Sequence, residues 1–178
     1  MNCKIRSCIK DDLRVLEETI RKSFRDVAQR FDLTPENAPR HPSNCTVEWI
    51  QKDIDRGVTF FVIENEENIV GCVALELANP DVCYLERLSV LPNQRHRGFG
   101  KALVDHAFSK AIFLGAKFVN IGIIAEHTEL KNWYKQIGFV EGESKVFPNL
   151  PFRVTFMAYD LIKNCQQANP PDPRSAGR

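Results

Sequence analysis

Residues 93–104, NQRHRGFGKALV, gather Arg95, His96, Arg97 and Lys101 around Gly98 and Gly100. The stretch follows an apolar run, DVCYLERLSVLP (81–92), and leads into a helix-like pattern. Two glycines remove Cβ atoms where backbone N–H groups converge at a helix start, so several donors can point at one anion. The helix dipole adds favourable potential there. Arg95, Arg97 and Lys101 bring full charges that suit phosphate oxygens, and no Asp or Glu occurs from Arg87 to Val104. The stretch is therefore read as a phosphate cradle formed by Arg95, His96, Arg97, Gly98, Phe99, Gly100 and Lys101, the competing reading being a tight turn with a solvated basic surface. Two known phosphate loops do not fit. Gly100-Lys101 is followed by Ala102, and Arg95 stands where a Walker loop needs its first glycine. Gly98-Phe99-Gly100 lacks the third glycine of a dinucleotide fingerprint, since Leu103 occupies that position.

A second group lies on the run before the turn. Strand alternation puts Val82, Tyr84, Glu86, Leu88 and Val90 on one face, which makes Glu86 a carboxylate on an otherwise apolar stripe. Partial desolvation there raises a carboxyl pKa toward the range of a general base. The competing reading leaves Glu86 exposed, or paired with an arginine such as neighbouring Arg87 in a structural ion pair. Further on, Trp133-Tyr134 precedes Lys135-Gln136-Ile137-Gly138-Phe139. Trp133 reads as a core aromatic, which is also the plain reading of Tyr134 beside it. His96 reads as a surface residue of the basic turn; His41, in the proline-rich loop with Arg40, could line a substrate site, and the preferred reading is a loop histidine without a role.

The elements that must position these groups are legible from periodicity. KIRSCI (4–9) alternates as a strand, and Asp11 or Asp12 caps a helix with Leu13, Leu16, Ile20 and Phe24 on one face. FDLTPENAPRHPSNCT (31–46) is a long loop whose Thr34-Pro35 predicts one short helix. VEWIQKDIDRG predicts a helix closed by Gly57, and VTFFVIE and NIVGCVALEL flank a turn as a hairpin. A helix from Gly98 to about Leu114 stops at Gly115. KFVNIGIIA (117–125) suits a buried parallel strand, ELKNWYKQIGF a helix ending at Gly138 and running directly into another strand, and FRVTFMAYDL (152–161) a last strand. The order β, α, α, β, β, β, α, β, α, β, β implies an α/β fold: a mixed sheet of about seven strands with helices on both faces. Residues 1–163 form one domain, and 164–178 are expected to be a flexible tail.

Composition bounds the partners. Of 178 residues, 24 are Lys or Arg and 23 Asp or Glu, so a net charge of +1 recruits neither nucleic acid nor membrane. No apolar run reaches the roughly 18 residues of a membrane span. The N-terminus does not read as a signal peptide. Cysteines at 3, 8, 45, 72, 83 and 165 form no C-x-x-C pair, so the thiols are expected reduced, the protein cytoplasmic, and no metal bound.

Arg95-His96-Arg97-Gly98-Phe99-Gly100 matches the [RQ]-x-x-G-x-[GA] signature, and Tyr134 to Phe139 resembles the Y-x-x-x-G-F ending, of the GCN5-related N-acetyltransferases. The element order agrees from Lys4 to Leu161. The resemblance implies acetyl-coenzyme A as donor, its pyrophosphate on the amides from Arg95 to Lys101. It also implies that the backbone from Leu88 through Ser89 to Val90 pairs with the pantetheine arm and stabilises the developing oxyanion. An asparagine that the family often places seven positions before the tyrosine is His127 here. An alkylammonium is mostly protonated at neutral pH, so a base must deprotonate it, and the family carries one at the position of Glu86 or Tyr84. Tyr134 matches the family's acid, which protonates the departing sulfur.

Family acceptor pockets map to about residues 24–46 and 145–155, where Phe24, Phe31, Arg40, Phe147 and Phe152 suggest an apolar site with some positive character. Tyr84, Phe31 and Arg40 are the candidate acceptor contacts. The expected activity is acetyl transfer to a primary amine of a small molecule, by a protein whose assembly as monomer or homodimer stays open. A peptide acetyltransferase and a non-catalytic acyl-CoA sensor are the alternatives.

Overall fold

The structure, a computed structural model, describes residues 3–168, with side chains described through Asn164. Its strands are β1 (Cys3–Ser7), β2 (Thr59–Asn65), β3 (Asn68–Asn79), β4 (Val82–Val90), β5 (Phe118–Ile124), β6 (Val140–Val146) and β7 (Arg153–Asp160). Its helices are α1 (Leu13–Arg30), α2 (Val47–Asp55), α3 (Phe99–Phe113), α4 (Thr128–Ile137) and α5 (Leu161–Ala168). The strands form one seven-stranded sheet in the order β1-β2-β3-β4-β5-β7-β6. Every neighbouring pair is antiparallel except β4 and β5, which are joined by the α3 crossover.

Both faces of the sheet are covered, which explains why central strands read as continuous apolar runs. Along β2 successive residues alternate between two cores. Phe60 and Val62 pack with Leu16 and Ile20 of α1 and Ile50 of α2. Phe61 and Ile63 pack with Leu103 and Ala107 of α3 and with Tyr134 of α4. A third, smaller cluster of Leu33, Ala38 and Ile124 closes the underside of the 31–46 loop.

Several expectations change. No helix begins at Thr34-Pro35. Asn37 Oδ1 takes the Thr34 N–H at 2.8 Å and Asn37 Nδ2 donates to the Asp32 carbonyl at 2.8 Å, which closes a turn instead, and one 3-10 turn comes after it at Pro42–Asn44. A 3-10 turn, Lys10–Asp12, also precedes α1, and Asp12 accepts the Ile9 N–H at 2.8 Å while pairing with Arg6. The chain continues past β7 into α5, so the boundary expected at residue 163 falls inside a helix. Of the expected tail, residues 169–178 lie outside the described residues. Among the described residues no helix is long and apolar enough to cross a membrane.

His41 is buried, with its Nδ1 2.8 Å from Ser43 Oγ and its ring edge-on to Phe24 at 5.7 Å. Burial lowers its pKa to about 4, so the folded protein keeps it neutral while the unfolded chain protonates it near 6.5. Its contribution is complete above pH 6.5 and is lost as pH falls toward 4, by at most about 3 kcal/mol. His41→Gln should flatten that part of the stability profile measured by urea unfolding across pH 4–7. Gly71 on β3 supplies a second test. A Cβ there would stand 2.5 Å from the Ser89 carbonyl oxygen and 3.1 Å from Ile63 Cγ2. Gly71→Ala should lower unfolding free energy by about 1–3 kcal/mol, read from the urea midpoint.

Candidate functional site

Parallel pairing of β4 with β5 covers only Val82, Tyr84 and the residue between, against Phe118 to Asn120. Beyond that point β4 stays on β3 while β5 stays on β7 to its end, Ile124 against Val154. The two strands part, and a gap opens in the middle of the sheet with main chain on both walls. Leu91 N donates to the Val70 carbonyl at 2.9 Å, so alternation turns the N–H and C=O of Leu88 and Val90 toward the gap. The Val90 carbonyl receives one long contact, from Arg95 Nε at 3.3 Å. An extended chain with amide groups can pair with these edges as a strand would.

The stripe expected on β4 is interrupted. The β3–β4 register shifts between Cys72 and Ala74, and Arg87 takes the left-handed φ of 51°. Such a bulge inserts one residue and reverses the facing of the residues after it. Glu86, opposite Ala74, keeps to the α1/α2 side with Tyr84, opposite Glu76. Leu88 and Val90 instead pack against the α3/α4 core. The five residues therefore do not share a face.

The pairing of Glu86 with Arg87 also fails to form. Arg87 makes a very short ion pair with Asp53 of α2. Asp53 binds Arg56 Nε at 3.1 Å, and Arg56 continues to Glu76 at 2.5 Å. Glu86 has no ion-pair or hydrogen-bond partner among the described residues. Its pKa is raised, first by burial; Arg87 and Arg56 pull it down while Glu76 and Asp53 push it up. Asp53 was not singled out from sequence, because its role depends on a partner 34 residues away.

The glycine-rich turn comes directly after a 3-10 turn at Pro92–Gln94. His96 and Gly98 both have positive φ, 61° and 85°, and Gly98 caps α3 without a side-chain bond. The first amides of a helix have no intrahelical acceptor, so those from Phe99 to Lys101 are available to a ligand. Gly100 faces Trp133, whose ring carbons would lie 3.5 Å from an added Cβ. The arginines are used differently from the sequence expectation. Arg95 pairs closely with Asp26 of α1 and donates to the Ser23 carbonyl at 2.6 Å, so its side chain ties the turn to α1. An acid-free window in sequence thus acquires an acid from another element. Arg97 donates to Gln94 Oε1 at 2.5 Å and lies over the Phe99 ring. Lys101 meets Asp105 one turn on, at 2.7 Å, on an exposed surface.

Tyr134 is buried on the α3/α4 side, edge-on to Trp133 and Phe139 at 4.9 and 5.2 Å. Its hydroxyl has no hydrogen-bond partner among the described residues, and burial pushes the phenol pKa well above its usual value. Glu86 and Tyr134 thus belong to opposite faces of the sheet, with the β4–β5 gap between them. His127, in place of the asparagine, is the N-cap of α4 and accepts the Leu130 N–H through Nδ1 at 3.4 Å. Its pKa is lowered, chiefly by burial, which keeps that nitrogen an acceptor.

A groove of about 340 Å³ lies among Phe31, Val146, Leu150, Pro151 and Phe152, with Glu126 and Arg153 paired at 3.0 Å on its rim. Phe31 and Phe152 meet there as the sequence suggested. Arg40 is exposed and does not line it, Tyr84 is 40% exposed on β4, Phe24 packs on His41, and Phe147 lies 6.3 Å from Phe156.

Comparison with known proteins places the architecture. Residues 21–139, more than half of the chain, match the model of the Acetyltransferase (GNAT) family. An uncharacterized N-acetyltransferase of Methanocaldococcus jannaschii is 28% identical over 145 residues, covering 78% of this chain and 61% of the relative. The chain therefore spans less than two thirds of that curated relative. Among solved structures, the PaiA N-acetyltransferase of Thermoplasma acidophilum in complex with coenzyme A superposes with TM-score 0.72 at 16% identity, covering 90% of this chain and 99% of that one. The ribosomal-protein-S18-alanine N-acetyltransferase of Escherichia coli gives TM-score 0.71 at 14% identity, covering 90% and 94%. A spermidine N-acetyltransferase chimera from Vibrio cholerae and hSSAT gives 0.71 at 17%, covering 93% and 99%. At these identities the structures bear on the fold alone, and they share it; with its matching family model, the chain belongs to the GNAT family of acetyltransferases.

Proposed function

We propose that the protein transfers an acetyl group from acetyl-coenzyme A to a primary amine of a small molecule. The observation that carries this reading is the main-chain edge of Leu88 and Val90, left open by the parting of β4 and β5 and leading toward the amides at the start of α3. The fit to coenzyme A is direct. An amide-containing arm can pair along the edge, and a pyrophosphate can take the amides from Gly98 to Lys101. When bound, the group supplies an acetyl thioester as the activated acyl donor.

The chain's own residues divide the proton work. Glu86 is partly desolvated and has no cationic partner of its own, so its carboxylate is suited to accept the proton of an incoming ammonium, directly or through water. A main-chain N–H in the gap, at Leu88 or Val90, can donate to the oxygen on which charge develops. Tyr134 lies on the other side with its hydroxyl uncommitted. Because burial raises its pKa, complete proton loss to a thiolate is uphill, so it acts first as a hydrogen-bond donor. It releases its proton only as charge builds on sulfur in the same low-dielectric surroundings. Phe31 and Phe152 supply the apolar wall for the acceptor.

The tests use thiol release from acetyl-coenzyme A with a panel of primary amines. Glu86→Gln should lower kcat/KM by roughly 10²-fold or more, and Tyr134→Phe should lower kcat by about 10-fold or more. For the active protein, kcat/KM should rise with pH through a pKa displaced upward from the ordinary carboxylate value, and Glu86→Gln should abolish that limb. Cofactor binding without turnover of any amine would favour the acyl-CoA sensor instead. Gly98→Val forces a β-branched residue to φ 85° where no atom lies within 4 Å of the added Cβ, so its effect is on the backbone alone. Calorimetry should show coenzyme A affinity reduced by about tenfold.

A further inference from the structure

The bulge that separates Glu86 from Leu88 is made without glycine. Arg87 holds φ 51°, a left-handed conformation that is strained for a non-glycine residue. Something in the fold must hold it. The Arg87 side chain is 17% exposed and bound to that of Asp53, itself 12% exposed, and its guanidinium lies over the Phe60 ring at 5.9 Å. At the other end of the residue, the Arg87 carbonyl accepts from Ser89 Oγ at 2.9 Å, and Ser89 is buried. Cys72 Sγ adds a contact to the same oxygen at 3.7 Å. The side chain and the carbonyl of one strained residue are thus anchored separately, the first from a helix and the second from its own strand.

We propose that Asp53 of α2 is a positioning residue for the reaction: by gripping Arg87 it holds the β4 bulge that sends Glu86 to one side of the sheet and Leu88 and Val90 to the other. Arg56, on the second oxygen of Asp53, fixes the carboxylate to the end of α2 and through Glu76 back to β3. The clamp is therefore closed at both ends. Asp53 touches no reacting atom; it acts through the backbone of residue 87. The inference rests on the proposed use of the gap by coenzyme A, and its test is arranged to separate the two.

Coenzyme A affinity is measured by calorimetry, and acetyl transfer by thiol release, for Asp53→Asn, Arg87→Ala, Arg87→Gly and, as a control, Ile50→Val. Alanine and glycine both delete the guanidinium, but only glycine adopts a left-handed φ without strain. Arg87→Gly should therefore bind coenzyme A about tenfold more tightly than Arg87→Ala, and Asp53→Asn should resemble Arg87→Ala. Ile50, fully buried on the same helix, takes part in none of the clamp's ion pairs, so Ile50→Val should lower the melting temperature and leave affinity in place. In Asp53→Asn kcat should fall while the acceptor KM changes little.

Equal affinities for the glycine and alanine variants would overturn the proposal, as would an affinity loss in Ile50→Val matching that of Asp53→Asn. If Asp53→Asn does not fold, the comparison at residue 87 still decides. Absence of coenzyme A binding by the unsubstituted protein would instead remove the proposed function.

Discussion

Hydrogen bonding between β4 and β5 ends at Tyr84 and Asn120, and the site exists because it ends there. A sheet that continued to pair would bury the N–H and C=O of Leu88 and Val90 in its own ladder and leave nothing for a ligand. Each strand is instead secured by its outer neighbour, β4 by β3 and β5 by β7. The fold can therefore leave main chain open in the middle of a sheet without exposing an outer edge to other chains. The α3 crossover then sets its N-terminal amides beyond the open end of β4, which aligns an anion site with a strand-like slot. The proposed chemistry would use both, because an acyl carrier is held at its charged end and along its arm.

How much of this the sequence could reveal depends on the range of the interactions. The turn at Gly98, the stop at Gly115 and the end of α4 at Gly138 each depend on a local left-handed φ, and all three glycines have one. Those positions were legible because the residue type and the backbone state are the same fact. The bulge at Arg87 was not. A long cationic residue gives no local sign of positive φ, and the partner that holds it lies on another element. The same applies to Arg95, whose charge looked available until α1 brought Asp26 and the Ser23 carbonyl to it across about 70 residues of chain. Local charge counting registers neither event.

The loop from 31 to 46 shows a related limit. Thr34-Pro35 has the chemistry of a helix start, but Asn37 offers its side chain to the Thr34 N–H and to the Asp32 carbonyl, and the turn closes before a helix can propagate. A short helix there would need its own packing face. Leu33 and Ala38 already reach the small cluster around Ile124 from the turn. His127 illustrates the opposite outcome, in which an unexpected residue fills an ordinary role. As the N-cap of α4 it needs only a side-chain acceptor for an orphan N–H, and a neutral imidazole nitrogen provides one as an asparagine oxygen would. The start of the helix that carries Tyr134 is therefore kept by a histidine held in its uncharged form.

The charge balance around Glu86 arises from the same clamp. Two guanidiniums, of Arg87 and Arg56, lie near it, and either could have paired with it and fixed it as an inert carboxylate of low pKa. Each is committed elsewhere, Arg87 to Asp53 and Arg56 to Asp53 and Glu76. At Glu86 the two cations and two anions act in opposite directions, and burial is the largest influence on the group. A carboxylate whose neighbours offset one another responds to desolvation, and its proton affinity rises. The ion-pair network thus does for the proton affinity of Glu86 what the bulge does for its direction, and both depend on Asp53.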